Sequence, residues 1–172
     1  MNDLQNYKII FSEDQINLRI KELASQISLD YAGKTLDIVC LINSALFFCT
    51  KLVSQLTVPT RIHSLGFTSY PTGNETGEVR ITLDIPEPLF GRHLLIIEGI
   101  VVTGRTPRYI TEILSLRKPA SISLCALGVK TALLTENLPL KYAAFELDNH
   151  IAAGFGVGNE SEKTLQFLYE SI

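Results

Sequence analysis

The 172-residue chain is 46% hydrophobic and 19% charged, the balance of an ordered protein able to bury a core without a metal or disulfide framework. Fifteen basic against eighteen acidic residues leave a net charge of −3 with no long basic run, which argues against a nucleic-acid partner. No apolar stretch reaches the roughly 18 residues of a membrane span, and MNDLQNYKIIFSEDQ has no apolar core of signal-peptide type, so no membrane role and a cytoplasmic location are the expectation. Cys40, Cys49 and Cys125 are scattered among apolar residues without CxxC spacing and read as reduced, buried thiols.

In chain order, Ser12 with Gln15 three residues on has capping-box spacing, and Ile16, Ile20, Leu23, Ala24 and Ile27 recur with helical period, predicting a helix over 13–29. Gly33 breaks it. TLDIVCLI (35–42) reads as a buried strand ended by Asn43 and Ser44, and ALFFCTKLVSQL (45–56) as a helix closed by Pro59. An extended segment follows from Pro59, then the polar stretch 68–79, with Pro71, Gly73 and Gly77, predicts a mobile hairpin or lid before strand 80–85. HLLIIEGI (93–100) predicts a central strand, followed by a turn at Thr103-Gly104-Arg105-Thr106 and a helix from about Pro107 to Leu116, where proline in the first turn loses no helical bond. SISLCALGV and KYAAFEL add two further strands. The alternation predicts an α/β fold with a mainly parallel central sheet flanked by helices.

The turn holds the strongest chemical signal. Backbone N–H groups at a helix start receive phosphate, and Thr103 and Thr106 add hydroxyl donors. The run Glu98-Gly99-Ile100-Val101-Val102-Thr103-Gly104-Arg105-Thr106 resembles the Glu-Asp-Ile-Ile-Asp-Thr-Gly-x-Thr signature of the hypoxanthine-guanine phosphoribosyltransferases, and the order of elements is similar across nearly the whole chain. That resemblance implies a type I phosphoribosyltransferase-like single domain over 1–172, with a flexible loop at 68–79 and a small hood drawn from the termini. It implies a purine nucleotide or ribose-phosphate ligand, magnesium arriving with the phosphorylated ligand, no structural metal, and a homo-dimer or homo-tetramer. The ligand-binding residues it implies are Glu98, Thr103, Gly104, Arg105, Thr106, Lys130 as reader of the purine oxygen, and Ile151 in place of the usual aromatic platform. No metal ligand is assigned.

Several positions depart from the family pattern. Gly99 stands where the second carboxylate would be, and Val102 where an Asp would exchange a proton with the purine. Ile42-Asn43-Ser44 replaces Leu-Lys-Gly of the pyrophosphate loop, Gly158 a late Asp, and Thr164 an Arg. Asp84, Glu87, Glu146, Asp148 and Glu160 are weak candidates for a substitute acid, and His150 for a ligand contact. Ser69-Tyr70 resembles the start of the closing loop. With no catalytic residue securely retained and the acidic, metal-supporting pattern degraded, the favoured expectation is a binding protein with poor or absent transfer, a pseudoenzyme. The alternatives are an active, atypical magnesium-dependent enzyme of purine salvage, and an oligomeric or partner-binding protein with a vestigial pocket.

Overall fold

In a computed structural model that describes residues 7–72, 75–148, 152–158 and 165–171, the elements run β1 (Tyr7–Phe11), α1 (Glu13–Asp30), β2 (Leu36–Ile42), α2 (Leu46–Val53), β3 (Thr60–Thr72), β4 (Glu75–Leu83), β5 (His93–Val101), α3 (Arg105–Ser115), β6 (Ser121–Val129), β7 (Leu140–Glu146), β8 (Ala152–Ala153) and β9 (Leu168–Ser171). Six strands form one sheet in the order β4-β3-β2-β5-β6-β7, parallel throughout except for the antiparallel edge pair β3/β4. The mixed sheet flanked by helices is the type I phosphoribosyltransferase architecture that the resemblance implies. β1, β9 and β8 make a second, three-stranded antiparallel sheet from the two ends of the chain.

The central strands read as near-continuous apolar runs because both faces of the sheet are covered. With a side-chain period of two, Ile38, Cys40, Leu95, Ile97, Cys125 and Leu127 pack beneath α1 and α2, whose Ile16, Ile20, Leu23, Ile27, Phe48 and Leu52 meet them. Val39, Leu41, Leu94, Ile96, Leu124 and Ala126 face the other way, onto Ile110 and Leu114 of α3. All three cysteines are buried and none is bridged.

The helix starts follow local chemistry. Ser12 Oγ accepts from Gln15 N while Ser12 N donates to Gln15 Oε1, closing the capping box. Arg19 then reaches from α1 to the Ala143 and Ala144 carbonyls, tying the helix to β7. α2 begins at Leu46 and ends at Val53, three residues before the predicted end, after which turn bonds take over up to Leu56. Phe48 is its fully buried aromatic, and Phe47 packs, partly buried, against the same core. Within the polar stretch 68–79, residues up to Thr72 continue β3 and residues from Glu75 begin β4, with Thr72 opposite Glu75, so the second strand starts five residues before the predicted position 80.

Candidate functional site

At the carboxyl end of β5 the chain leaves the sheet through Val102-Thr103-Gly104 and enters α3 at Arg105. Open parallel sheets place ligands at this end, outside the strand termini. Gly104 is the N-cap with φ +88°, a left-handed conformation that favours glycine. A Cβ there would also stand 2.9 Å from Leu134 Cδ1 and 3.0 Å from Leu138 Cδ1. The cap offers no side-chain acceptor to the first turn. Pro107 is the third helical residue and brings no N–H, so the first-turn donors are the Thr106 amide and the Arg105 amide, the latter in a long 3.5 Å contact to Thr103 Oγ1, at a helix end that carries partial positive charge.

Thr103 O is fixed by the Thr135 amide at 3.1 Å and by the Thr135 hydroxyl at 3.3 Å, pinning the turn to the segment after β6. Around it lies a hollow of about 240 Å³ lined by Ser44, Phe67, Glu98, Val102, the Thr103–Thr106 turn and Val157. A larger hollow of about 570 Å³, lined by Ser25, Ser28, Leu29, Gln55 and Thr57 among others, has no titratable side chain and lies away from this turn.

Glu98 is the carboxylate of the hollow. It is buried, and its Oε1 accepts from Ser44 Oγ at 2.8 Å and from Gly99 N at 2.8 Å. Burial pushes its pKa up to about 7, opposed by those two hydrogen bonds, which favour the charged form. Gly99 is not an empty place beside it. A Cβ at 99 would stand 2.7 Å from the Ser44 carbonyl oxygen, so the backbone after β2 occupies the room a side chain would need.

Seen from the sequence, the structure brings Glu98, Thr103, Gly104, Arg105 and Thr106 together in one hollow. Lys130 lies next door, buried at the end of β6 with its N–H donated to Val101 O at 2.9 Å, and does not line the hollow. Ile151, His150, Glu160 and Thr164 lie outside the described residues. Candidate substitute acids are engaged elsewhere: Asp84 with Arg117, Glu87 facing His63, and Glu146 and Asp148 beside a small hollow against β1 and β9. Ser44, the direct partner of Glu98, was given no such role from sequence, because 54 residues separate the two and no spacing rule joins them. Among the described residues, no three His, Cys, Asp or Glu side chains converge as a metal cage would require.

A second charged cluster sits at the opposite, amino end of the strands. Asp37, completely buried near the start of β2, accepts from His63 Nε2 at 2.8 Å, Arg92 Nη1 at 3.0 Å and Arg61 Nη1 at 3.3 Å. None of these four positions stands out in the sequence as a candidate site residue.

Over residues 6–160 the sequence matches a family profile, the phosphoribosyl transferase domain. It is 34% identical over 153 residues to the hypoxanthine phosphoribosyltransferase of Haemophilus influenzae, a match covering 87% of this chain and 86% of that protein. The chain belongs to the hypoxanthine-guanine phosphoribosyltransferase family. A crystal structure of a hypoxanthine phosphoribosyltransferase from Staphylococcus aureus superposes with a TM-score of 0.93 at 27% identity, covering 100% of this chain and 96% of that one. A variant of the Trypanosoma cruzi hypoxanthine phosphoribosyltransferase, solved as a ternary substrates complex, superposes at 0.89 with 28% identity over 96% and 95% of the two chains.

This agreement overturns the expectation of poor or absent transfer, and with it the pseudoenzyme reading. The match to the hypoxanthine-guanine phosphoribosyltransferases runs nearly end to end in sequence and in fold. The reading of the acidic pattern as degraded is corrected as well. The buried Asp37 carboxylate keeps its three cationic or imidazole partners, and Glu98 is held by two hydrogen bonds. Gly99 and Val102 are local departures, the first of them matched by the inward position of Ser44.

Proposed function

We propose that this member of the hypoxanthine-guanine phosphoribosyltransferase family is an active, atypical magnesium-dependent enzyme. It would join hypoxanthine or guanine to phosphoribosyl pyrophosphate in purine salvage, releasing pyrophosphate, as a homo-dimer or homo-tetramer. The observation that carries this is the convergence of Glu98, Ser44 and the Thr103–Thr106 turn in one hollow at the end of the central strand.

In that reading the Arg105 and Thr106 amides and the two threonine hydroxyls hold the ribose 5′-phosphate, with Arg105 adding a full positive charge at the same rim. Glu98, oriented by Ser44 and the Gly99 amide, accepts the ribose hydroxyls and so fixes the sugar carbon under attack. Mg²⁺ brought in by the phosphorylated substrate would be held with the help of Glu98, the carboxylate that lines the hollow. It would supply charge neutralisation for the departing pyrophosphate. Lys130 orients the purine through its exocyclic oxygen, and the hairpin formed by β3 and β4 is the lid that excludes water. Val102 accepts no proton, and at 38% exposure it stands on the open side of the hollow, so the purine proton leaves to solvent.

The test is a turnover assay with hypoxanthine and with guanine, phosphoribosyl pyrophosphate and Mg²⁺, comparing the wild type with Thr103→Ala/Thr106→Ala. Nucleotide formed by the wild type and lost in the variant supports the assignment. A folded wild type that binds phosphoribosyl pyrophosphate but forms no nucleotide with either base overturns it.

A further inference from the structure

The Asp37 cluster does more than satisfy itself. The carboxylate takes one Nη1 from each of two arginines, and it is almost fully withdrawn from solvent while the Arg61 side chain remains 53% exposed. Each guanidinium carries five donors, and the Asp37 contact engages one nitrogen of each. The same wall holds Lys34 and His93 around an open hollow of about 370 Å³. Lys34 forms no ion pair among the described residues, and His93 Nδ1 is engaged by Ser121 Oγ at 2.8 Å, which leaves its Nε2 as the free ring nitrogen. Lys34, Arg61 and Arg92 against Asp37 make a local surplus of two positive charges, in a chain whose total is −3.

From this the geometry points to a second anion site, at the amino edge of β2, β3 and β5, for a small multiply charged phosphate compound such as a polyphosphate or phosphate ester. Arginine forks match phosphate oxygens in pairs, and a buried carboxylate that fixes one edge of each fork lowers the entropy lost when the other edge binds. The site is separate from the Thr103–Thr106 turn. His93 and Val101 are the two ends of β5, and at about 3.3 Å per residue the two hollows lie roughly 25 Å apart. Its wall is formed at the starts of β2, β3 and β5, strands that lead at their other ends to Ser44 just past β2, to the β3/β4 hairpin and, within β5, to Glu98. An occupant would therefore bridge the elements that carry the first site.

The experiment titrates sodium tripolyphosphate by calorimetry into Thr103→Ala/Thr106→Ala protein, with the imidazole signals of His93 followed by NMR and assigned through His93→Asn. The expected result is binding that survives the turn substitutions, shifts the His93 signals and weakens with added salt. It should fall at least tenfold in Thr103→Ala/Thr106→Ala protein that also carries Lys34→Gln/Arg61→Gln, a change that leaves His63 and Arg92 on Asp37. Lys34→Gln alone, which removes no ion pair among the described residues, should still weaken binding about threefold and controls for folding. No heat and no His93 shift in the turn variant, or unchanged affinity in both the double and the single cation variant, overturns the second site.

Discussion

At position 99 the missing side chain is coupled to the chain that crosses it. Because a Cβ would meet the Ser44 carbonyl at 2.7 Å, restoring the family carboxylate by Gly99→Asp should push the Asn43-Ser44 backbone away and loosen the Ser44 contact to Glu98. The expected outcome is a loss of stability of about 1–3 kcal/mol in a denaturant melt, with no gain in turnover. Val102 differs, since it is 38% exposed and lines the hollow. Val102→Asp supplies a proton acceptor where the purine is expected, and a positioned acid or base contributes about 10²–10⁴-fold. Steady-state kcat should rise by at least tenfold, and an unchanged or lower kcat would argue that the proton leaves by another route.

Glu98 gives a pH signature of defined sign. Its folded pKa, about 7, lies above the ordinary 4.5, so the folded state holds this proton more tightly than the unfolded chain does. Stability is therefore highest, as far as this group is concerned, below about pH 4.5. It declines as pH rises from 4.5 to 7 and is level above that. Converted at 1.36 kcal/mol per unit, the loss is on the order of 3 kcal/mol. Glu98→Gln should lack this decline, so the stability difference between variant and wild type, followed by denaturant melts across that window, should move in the variant's favour and then stay constant. Transfer should rise through about pH 7 in the wild type, because the carboxylate form accepts ribose hydroxyls.

Among the elements, α1 shows what a linear sequence can declare. Ser12 and Gln15 are three residues apart, and their two hydrogen bonds require only that the chain turn where the helix begins. Ser12→Ala should cost about 1 kcal/mol, read as a lower midpoint in urea with an unchanged m-value. The β5-turn-α3 unit was legible for the same reason, an apolar run followed by Gly104 and an early proline. Contacts between distant elements were not. The Ser44 to Glu98 bond joins the end of β2 to β5, and the room at Gly99 is defined by that crossing. A glycine in an aligned motif reads from sequence as a lost acid, whereas in the fold it is the clearance for another strand's exit. The β3/β4 boundary was also missed, because polar residues in an edge hairpin follow no burial period.

For the whole molecule, the legible part was the class of fold and the misjudged part was the weight given to a few substitutions. Gly99 and Val102 outweighed, in that reading, an agreement in element order that extends over the chain. Asp37 is the clearest feature that acts at this scale, since one buried carboxylate holds side chains from β3 and from the residue just before β5. Asp37→Asn leaves two arginines and a histidine without their counter-charge. Unfolding in urea should come about 3 kcal/mol earlier, discounted toward the low end because both arginines keep access to water.

The small three-stranded sheet carries a different consequence. Tyr7 and Ser171 are paired across β1 and β9, as Lys8 and Glu170 are, with the Lys8 ammonium on the Glu170 carboxylate at 2.9 Å. Paired Cα atoms in such a ladder lie about 5 Å apart, a gap that a two-residue hairpin turn closes. In three dimensions the described polypeptide is thus close to a ring, and the point at which it is opened is separable from how it packs. A version joined between residues 171 and 7 and opened at the turn between α3 and β6 would preserve every strand pairing named above while exchanging the order in which they are synthesised.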